Sequence, residues 1–234
     1  MRHARSAVLA MAVLALGLPF YLAVFPNDLG VYLSAGHAVR HSLDIYSFQP
    51  WKYGFTYPPF PALIAVLPSL LSRWVAVGAM ALVSLYALYV LIERSAPGLV
   101  RRALASWPAL IALLSLIACE PSRITLWNGQ VNLILAALVL IDLQRSVASR
   151  SRGVLIGLCA GVKLTPGLFI IYLLVRRQYR SAATAVGAFA ASIGLSWIVL
   201  PHESRKYWTD YLFNTGRIGD LGNNGNQSLR AVTA

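Results

Sequence analysis

Apolar runs broken by short polar stretches fill most of this chain, and the lengths of the runs set the elements they predict. Residues 6–25 read as a first membrane helix. Arg2 and Arg5 precede it, and the run ends Val24-Phe25-Pro26-Asn27 without a small-residue cleavage site, so a retained span is expected rather than a signal peptide. Residues 26–58 read as an outer polar loop, rich in aromatics (Tyr32, Tyr46, Phe48, Trp51, Tyr53, Phe55, Tyr57) as interfacial segments are. Within it, Val31, Ala35, Ala38 and Val39 share a helical face, which predicts a short helix over 29–42 lying along the membrane.

The later runs are less uniform. Residues 59–92 are too long for one span and are interrupted by Pro61, Pro68 and Arg73. Two short spans are possible, or a partial segment followed by one full span over 74–92; the basic run Arg94–Arg102 favours the second. Residues 103–119 are expected to cross outward, Glu120–Gln130 to form an outer loop, and 131–143 to cross back. Residues 153–175 have basic flanks at both ends and Lys163-Leu164-Thr165-Pro166 in the middle, which predicts a helical hairpin broken at the proline. Residues 182–200 complete the crossings, with 201–234 outside. The predicted fold class is all-α: a polytopic transmembrane bundle with interfacial helices in an extracytoplasmic loop after the first span.

Composition strengthens this picture. The chain is 58% hydrophobic and 12% charged, against roughly 25% charged residues in soluble domains. Its net charge of +12 could suggest nucleic acid in a soluble protein. Here the arginines cluster between apolar runs (Arg101-Arg102; Arg145, Arg150, Arg152; Arg176-Arg177, Arg180), the pattern of cytoplasmic loops, which argues against that partner. Cys119 and Cys159 read as packed thiols. His37 and His41 could share a helix face, but no dedicated metal-ligand set is visible, and no metal or cofactor is expected.

The polar breaks carry the candidate chemistry, because polar groups at membrane depth are costly and usually mark a pathway or a site. Asp28 could cap a helix or act as a general base at the interface. Asp44 is expected to pair with Arg40 at i, i+4. Lys163 could bind a phosphate, with Thr165 adding a hydroxyl, or snorkel to the interface. Gln130 and Asn132 could contact a hydroxyl-rich ligand or cap the span they begin. Tyr57-Pro58-Pro59 reads as a stiff helix entry, and Trp127 as a belt residue.

Taken together, six motifs in order resemble one family. They are Asp28-Leu29-Gly30-Val31-Tyr32; Asp44-Ile45-Tyr46; Phe55-Thr56-Tyr57-Pro58-Pro59-Phe60; Gly129-Gln130-Val131-Asn132-Leu133; Lys163-Leu164-Thr165-Pro166 with Tyr172–Arg177; and Gly225-Asn226-Gln227-Ser228-Leu229. The chain resembles the polyprenyl-phosphate-sugar-dependent membrane glycosyltransferases of the GT-C fold, in particular glycosyltransferase family 87 and its bacterial α-mannosyltransferases of phosphatidylinositol mannosides and lipoglycans. The resemblance implies a multi-pass bacterial plasma-membrane enzyme with its site on the extracytoplasmic face. It implies sugar transfer, mannose before arabinose, from a polyprenyl-phosphate donor to a glycolipid or polysaccharide acceptor, with inversion and Asp28 as the base. Lys163, Gln130, Asn132, Tyr32, Tyr57, Asn226 and Gln227 are then the expected donor phosphate or sugar contacts. Members of this family are longer, so residues 1–234 are expected to be a single integral membrane domain forming the N-terminal portion of such an enzyme. The alternative class is a transporter or flippase of a lipid-linked substrate, which would more often show paired inverted repeats.

Overall fold

The computed structural model describes residues 27–50 and 53–214, and every regular element among them is helical. The span expected over 6–25 and the contacts expected from Asn226 and Gln227 lie outside the described residues. The first described helix, α1 (Asn27–Arg40), buries Val31, Ala35 and Ala38, the face its spacing predicted. At Gly36 it lies so close to Ala65 that a Cβ would strike the Ala65 carbonyl. That residue ends α2 (Phe60–Ala65), which is followed by a short 3₁₀ turn at Pro68–Leu70 and then by α3 (Arg73–Ser95). Residues 59–92 therefore adopt the second arrangement, a partial segment and then one long apolar helix.

The basic helix α4 (Leu99–Ala103) leads into α5 (Trp107–Ala118) and α6 (Glu120–Asn128). The expectation of an outer loop over Glu120–Gln130 is corrected here: most of the stretch is helix, bent 50° from α5 at Cys119. Pro121 in the first turn starts the new helix without needing an amide donor, and Gly129 ends it with a φ of 64° that favours glycine. Cys119 is exposed rather than packed, whereas Cys159 is buried; both are free thiols.

Helix α7 (Asn132–Leu143) runs antiparallel to α8 (Val154–Val162). Lys163 is extended, and after the 3₁₀ turn Thr165–Gly167 the chain returns as α9 (Leu168–Val175) to the start of α10 (Tyr179–Val199). The hairpin expected over 153–175 is thus present, with Lys163 at its turn. Gly153, Gly157 and Gly161 seat α8 directly against Ser181, Ala185, Ala188 and Ser192 of α10. A Cβ at Gly157 would overlap the Ala185 carbonyl, so the two helices meet backbone to backbone. Beyond α10 come α11 (Pro201–Lys206) and a π-helical turn, Tyr207–Tyr211.

Helices α3 and α10 have 23 and 21 residues and are apolar enough to cross a membrane, and the bent α5–α6 pair makes a third crossing if it counts as one span. About 20 residues suffice for a span. This is an all-α membrane protein.

Candidate active site

Four short segments bring their polar residues to one place. Asp28 sits in the first turn of α1 rather than at a cap, where the positive end of the helix favours a carboxylate. Gln130 is its neighbour and acts on the carboxyl as a hydrogen-bond donor, lowering its proton affinity. Gln130 occupies the two-residue link from Gly129 into α7, and the Asn132 amide nitrogen donates to its Oε1 at 2.6 Å. Lys163, at the end of α8, donates to Asn132 Oδ1 at 3.0 Å. The Lys163 ammonium also lies over the Tyr57 ring, 5.8 Å from its centre. The Tyr32 hydroxyl donates to that of Tyr57 at 3.2 Å.

Six of the eight residues expected at the site thus form one cluster, and the other two, Asn226 and Gln227, lie outside the described residues. Electrostatics tie the cluster together. Burial pushes the Asp28 carboxyl above its ordinary value, while the Gln130 hydrogen bond and the Lys163 charge pull the other way without cancelling the shift. Burial also pushes the Tyr32 phenol up, helped by neighbouring Tyr57 and Asp28.

Beside this cluster lies an apolar cavity of about 310 Å³. Tyr32 and Tyr57 line its polar end, and Ile64, Met80, Ile134 and Leu138 are among the apolar residues that continue it between α2, α3 and α7. Prolines 61 and 68 shape one wall. Among the described residues no group of three or more His, Cys, Asp or Glu side chains could hold a metal. His37 and His41 do share a face, with ring centres 4.2 Å apart, and His37 stacks on Phe48.

Two acidic residues differ from expectation. Asp44 does not pair with Arg40; its partner is Lys206 at 2.8 Å, and Arg40 donates instead to the Ser69 carbonyl. The reason is local: Asp44 turns back to accept from the Tyr46 amide and the Ser47 hydroxyl, which aims it away from α1 and toward α11. Burial alone would raise the Asp44 carboxyl, but hydrogen bonds from Lys206, Tyr46 and Ser47 outweigh it and hold the group below its ordinary value. Asp142 was missed altogether. It is fully buried at the end of α7, and its Oδ2 accepts from the amides of Gly153 and Ile156 at 2.9 and 3.0 Å. Arg145 lies 3.4 Å from the other oxygen. The buried Arg152, read from sequence as one of a loop cluster, donates to the Arg145 carbonyl. A lone carboxylate inside an apolar run was the signal, the same one that singled out Lys163.

The fold and this site define a helical membrane protein with a polar cluster at the head of an apolar cavity. The chain belongs to glycosyltransferase family 87, whose profile matches residues 55–234. It is 34% identical over 213 residues to a polyprenol-phosphate-mannose-dependent alpha-(1-2)-phosphatidylinositol pentamannoside mannosyltransferase of Mycolicibacterium smegmatis, covering 87% of this chain and 50% of that protein. A protein of the same description from Mycobacterium tuberculosis is 34% identical over 249 residues, covering 99% of this chain and 56% of the relative. A polyprenol-phosphate-mannose-dependent alpha-(1-2)-phosphatidylinositol mannoside mannosyltransferase of Mycobacterium tuberculosis is 32% identical over 197 residues, covering 77% and 45%. The chain therefore spans about half the length of the curated relatives it matches. No solved structure matches it.

Proposed function

We propose that this chain carries the donor site and the base of a mannosyltransferase that uses a polyprenyl-phosphate sugar. The observation that carries the reading is the joining of a raised carboxylate to a cation, Asp28 to Lys163, at the polar end of an apolar cavity. An isoprenoid phosphate has the matching form: an anionic head for Lys163 and an apolar tail for the cavity. Membership of a glycosyltransferase family supports transfer over transport, and the relatives' names support mannose over arabinose, with a phosphatidylinositol mannoside as the type of acceptor.

In this reading Asp28 removes the proton of an acceptor hydroxyl as that oxygen bonds to the anomeric carbon. The bond from that carbon to the phosphate oxygen breaks, and polyprenyl phosphate leaves with the electron pair. Attack opposite the leaving group inverts the centre, so a β-linked donor yields an α-linked product. Lys163 stabilises the charge that develops on the departing phosphate. Tyr32 and Tyr57 offer ring faces and hydroxyls to the sugar, and Asn226 and Gln227 remain assigned to sugar or phosphate. The 234 residues act as a single integral membrane domain, in the plasma membrane of a bacterium, with the cluster on the extracytoplasmic side.

The test is mannosyl transfer from polyprenyl-phosphate-mannose in proteoliposomes, with donor binding measured alongside. Asp28→Asn should lower turnover by about 100-fold or more, the usual worth of a general base, while leaving donor binding in place. Undiminished transfer in the variant rules out Asp28 as the base, and a wild-type protein that binds no polyprenyl phosphate rules out the donor site.

A further inference from the structure

The polar cluster is a chain of hydrogen bonds with a direction. A lysine ammonium only donates, so the Asn132 atom 3.0 Å from it is the amide oxygen. The Asn132 nitrogen must then face Gln130, where it donates to Oε1 at 2.6 Å. That leaves the Gln130 nitrogen turned away from Asn132 and open to Asp28, which as a carboxylate only accepts and whose proton affinity Gln130 lowers. The two ends fix the orientation of both amides.

We propose that Gln130 and Asn132 are positioning residues, an amide relay through which the charge at Lys163 sets the proton affinity of Asp28. Bonds in such a series polarise one another in the same sense. The ammonium draws on the Asn132 oxygen, which makes the Asn132 nitrogen and then the Gln130 nitrogen better donors to the carboxylate. Lys163 also acts on Asp28 directly through space. Both effects weaken when an anion neutralises Lys163. Asp28 then holds a proton more tightly and becomes the stronger base only when a phosphate is in place, so the base strengthens at the moment an anomeric carbon is at hand.

Among the described residues, few other titratable groups lie near this link. Tyr32, on the same helix, and Tyr57, from the loop, are the titratable hydroxyls nearest the carboxylate, and burial holds both protonated. Of the elements packed against α1, α2 and the 3₁₀ turn carry no charged residue. Glu120 and Arg123 of α6 are exposed, with Arg123 lying over the Trp127 ring.

The role of the phosphate in this scheme rests on the donor site proposed above, but the relay has a readout of its own. The protonation of Asp28 is followed by the infrared carboxyl band of the whole protein in proteoliposomes as pH is varied, assigned by its loss in Asp28→Asn. Without any donor, Gln130→Leu, Asn132→Leu and Lys163→Met should each raise the titration midpoint, Lys163→Met by on the order of one pH unit. Polyprenyl phosphate should raise the wild-type midpoint in the same sense and leave Lys163→Met unmoved. Asn132→Ala reads the same link should Asn132→Leu fail to fold. Failure of polyprenyl phosphate to bind removes the donor reading and leaves the relay standing on the variants. A midpoint indifferent to Gln130 and Asn132 substitution, in folded protein, overturns the relay whatever binds.

Discussion

Helices α7 and α8 are joined by polar groups at both ends, and the two junctions are built differently. At one end Asp142 is fully buried and its oxygen is taken up by two backbone amides at the start of α8. Its hydrogen-bond partners are fixed parts of the fold, with Arg145 lying 3.4 Å from the other oxygen. At the other end Asp28 and Lys163 are linked through two side-chain amides, beside a cavity. Those partners are side chains, and the ammonium keeps donors beyond the one given to Asn132. The first junction is a closed cap that sets where α8 begins. The second is an open array at the place where α8 ends. A carboxylate held by backbone amides serves the fold, and one held by side chains beside a cavity is available for chemistry.

That contrast can be broken by substitution. The largest effect expected on stability is from Asp142→Ala, which orphans the Gly153 and Ile156 amides at about 1–3 kcal/mol for each buried donor left unpaired. Thermal unfolding in detergent should show the loss, while donor affinity measured on the folded fraction changes little. Lys163→Ala should do the reverse: about tenfold weaker binding of polyprenyl phosphate, equivalent to ~1.4 kcal/mol, with little change in the unfolding midpoint. If the two variants exchange these phenotypes, the division between cap and site is wrong.

The smallest effect belongs to a third acid. Asp44→Asn removes a half-buried ion pair with Lys206 near the surface, where such pairs contribute about 1 kcal/mol. Its pH dependence has a defined sign. The Asp44 carboxyl lies below its ordinary 3.8 in the folded protein, so its contribution is present above that value and is lost as pH falls through the lowered one. Lys206 is raised above 10.5, chiefly by its hydrogen bond to Asp44, so its contribution is lost only as pH rises through that higher value. Between these limits the difference between wild type and Asp44→Asn should be flat, and a slope near neutral pH would point to a different partner.

The residues of the polar cluster were legible because a single rule finds them: a polar group in an apolar run needs a reason. Asp28, Gln130, Asn132 and Lys163 all stood out that way, and so did the break at Lys163. Their bonding order was not legible, since it depends on how α1, α7 and α8 converge. Asp44 shows the same limit. Its i, i+4 neighbour Arg40 was the nearest partner along the chain, yet the partner it takes is 162 residues away. Glu120–Gln130 was misread because its polar residues suggested a loop, although Pro121 and Gly129 mark the start and stop of a helix. Asp142 fell within the crossing expected over 131–143 and was given no role there, because the amides that take up its oxygen belong to the next helix.

The seam between α8 and α10 has one more consequence. At its closest points the seam sets Gly153, Gly157 and Gly161 on one side against chiefly serine and alanine on the other. In a bilayer, helices form before they associate, so what remains to be lost on docking is rotamer freedom. Glycine and alanine have none to lose, whereas a long side chain gives up as much as about 2 kcal/mol. At those points the wall that carries Lys163 therefore closes with little side-chain entropy opposing it, and heat has correspondingly little leverage there to pry it open.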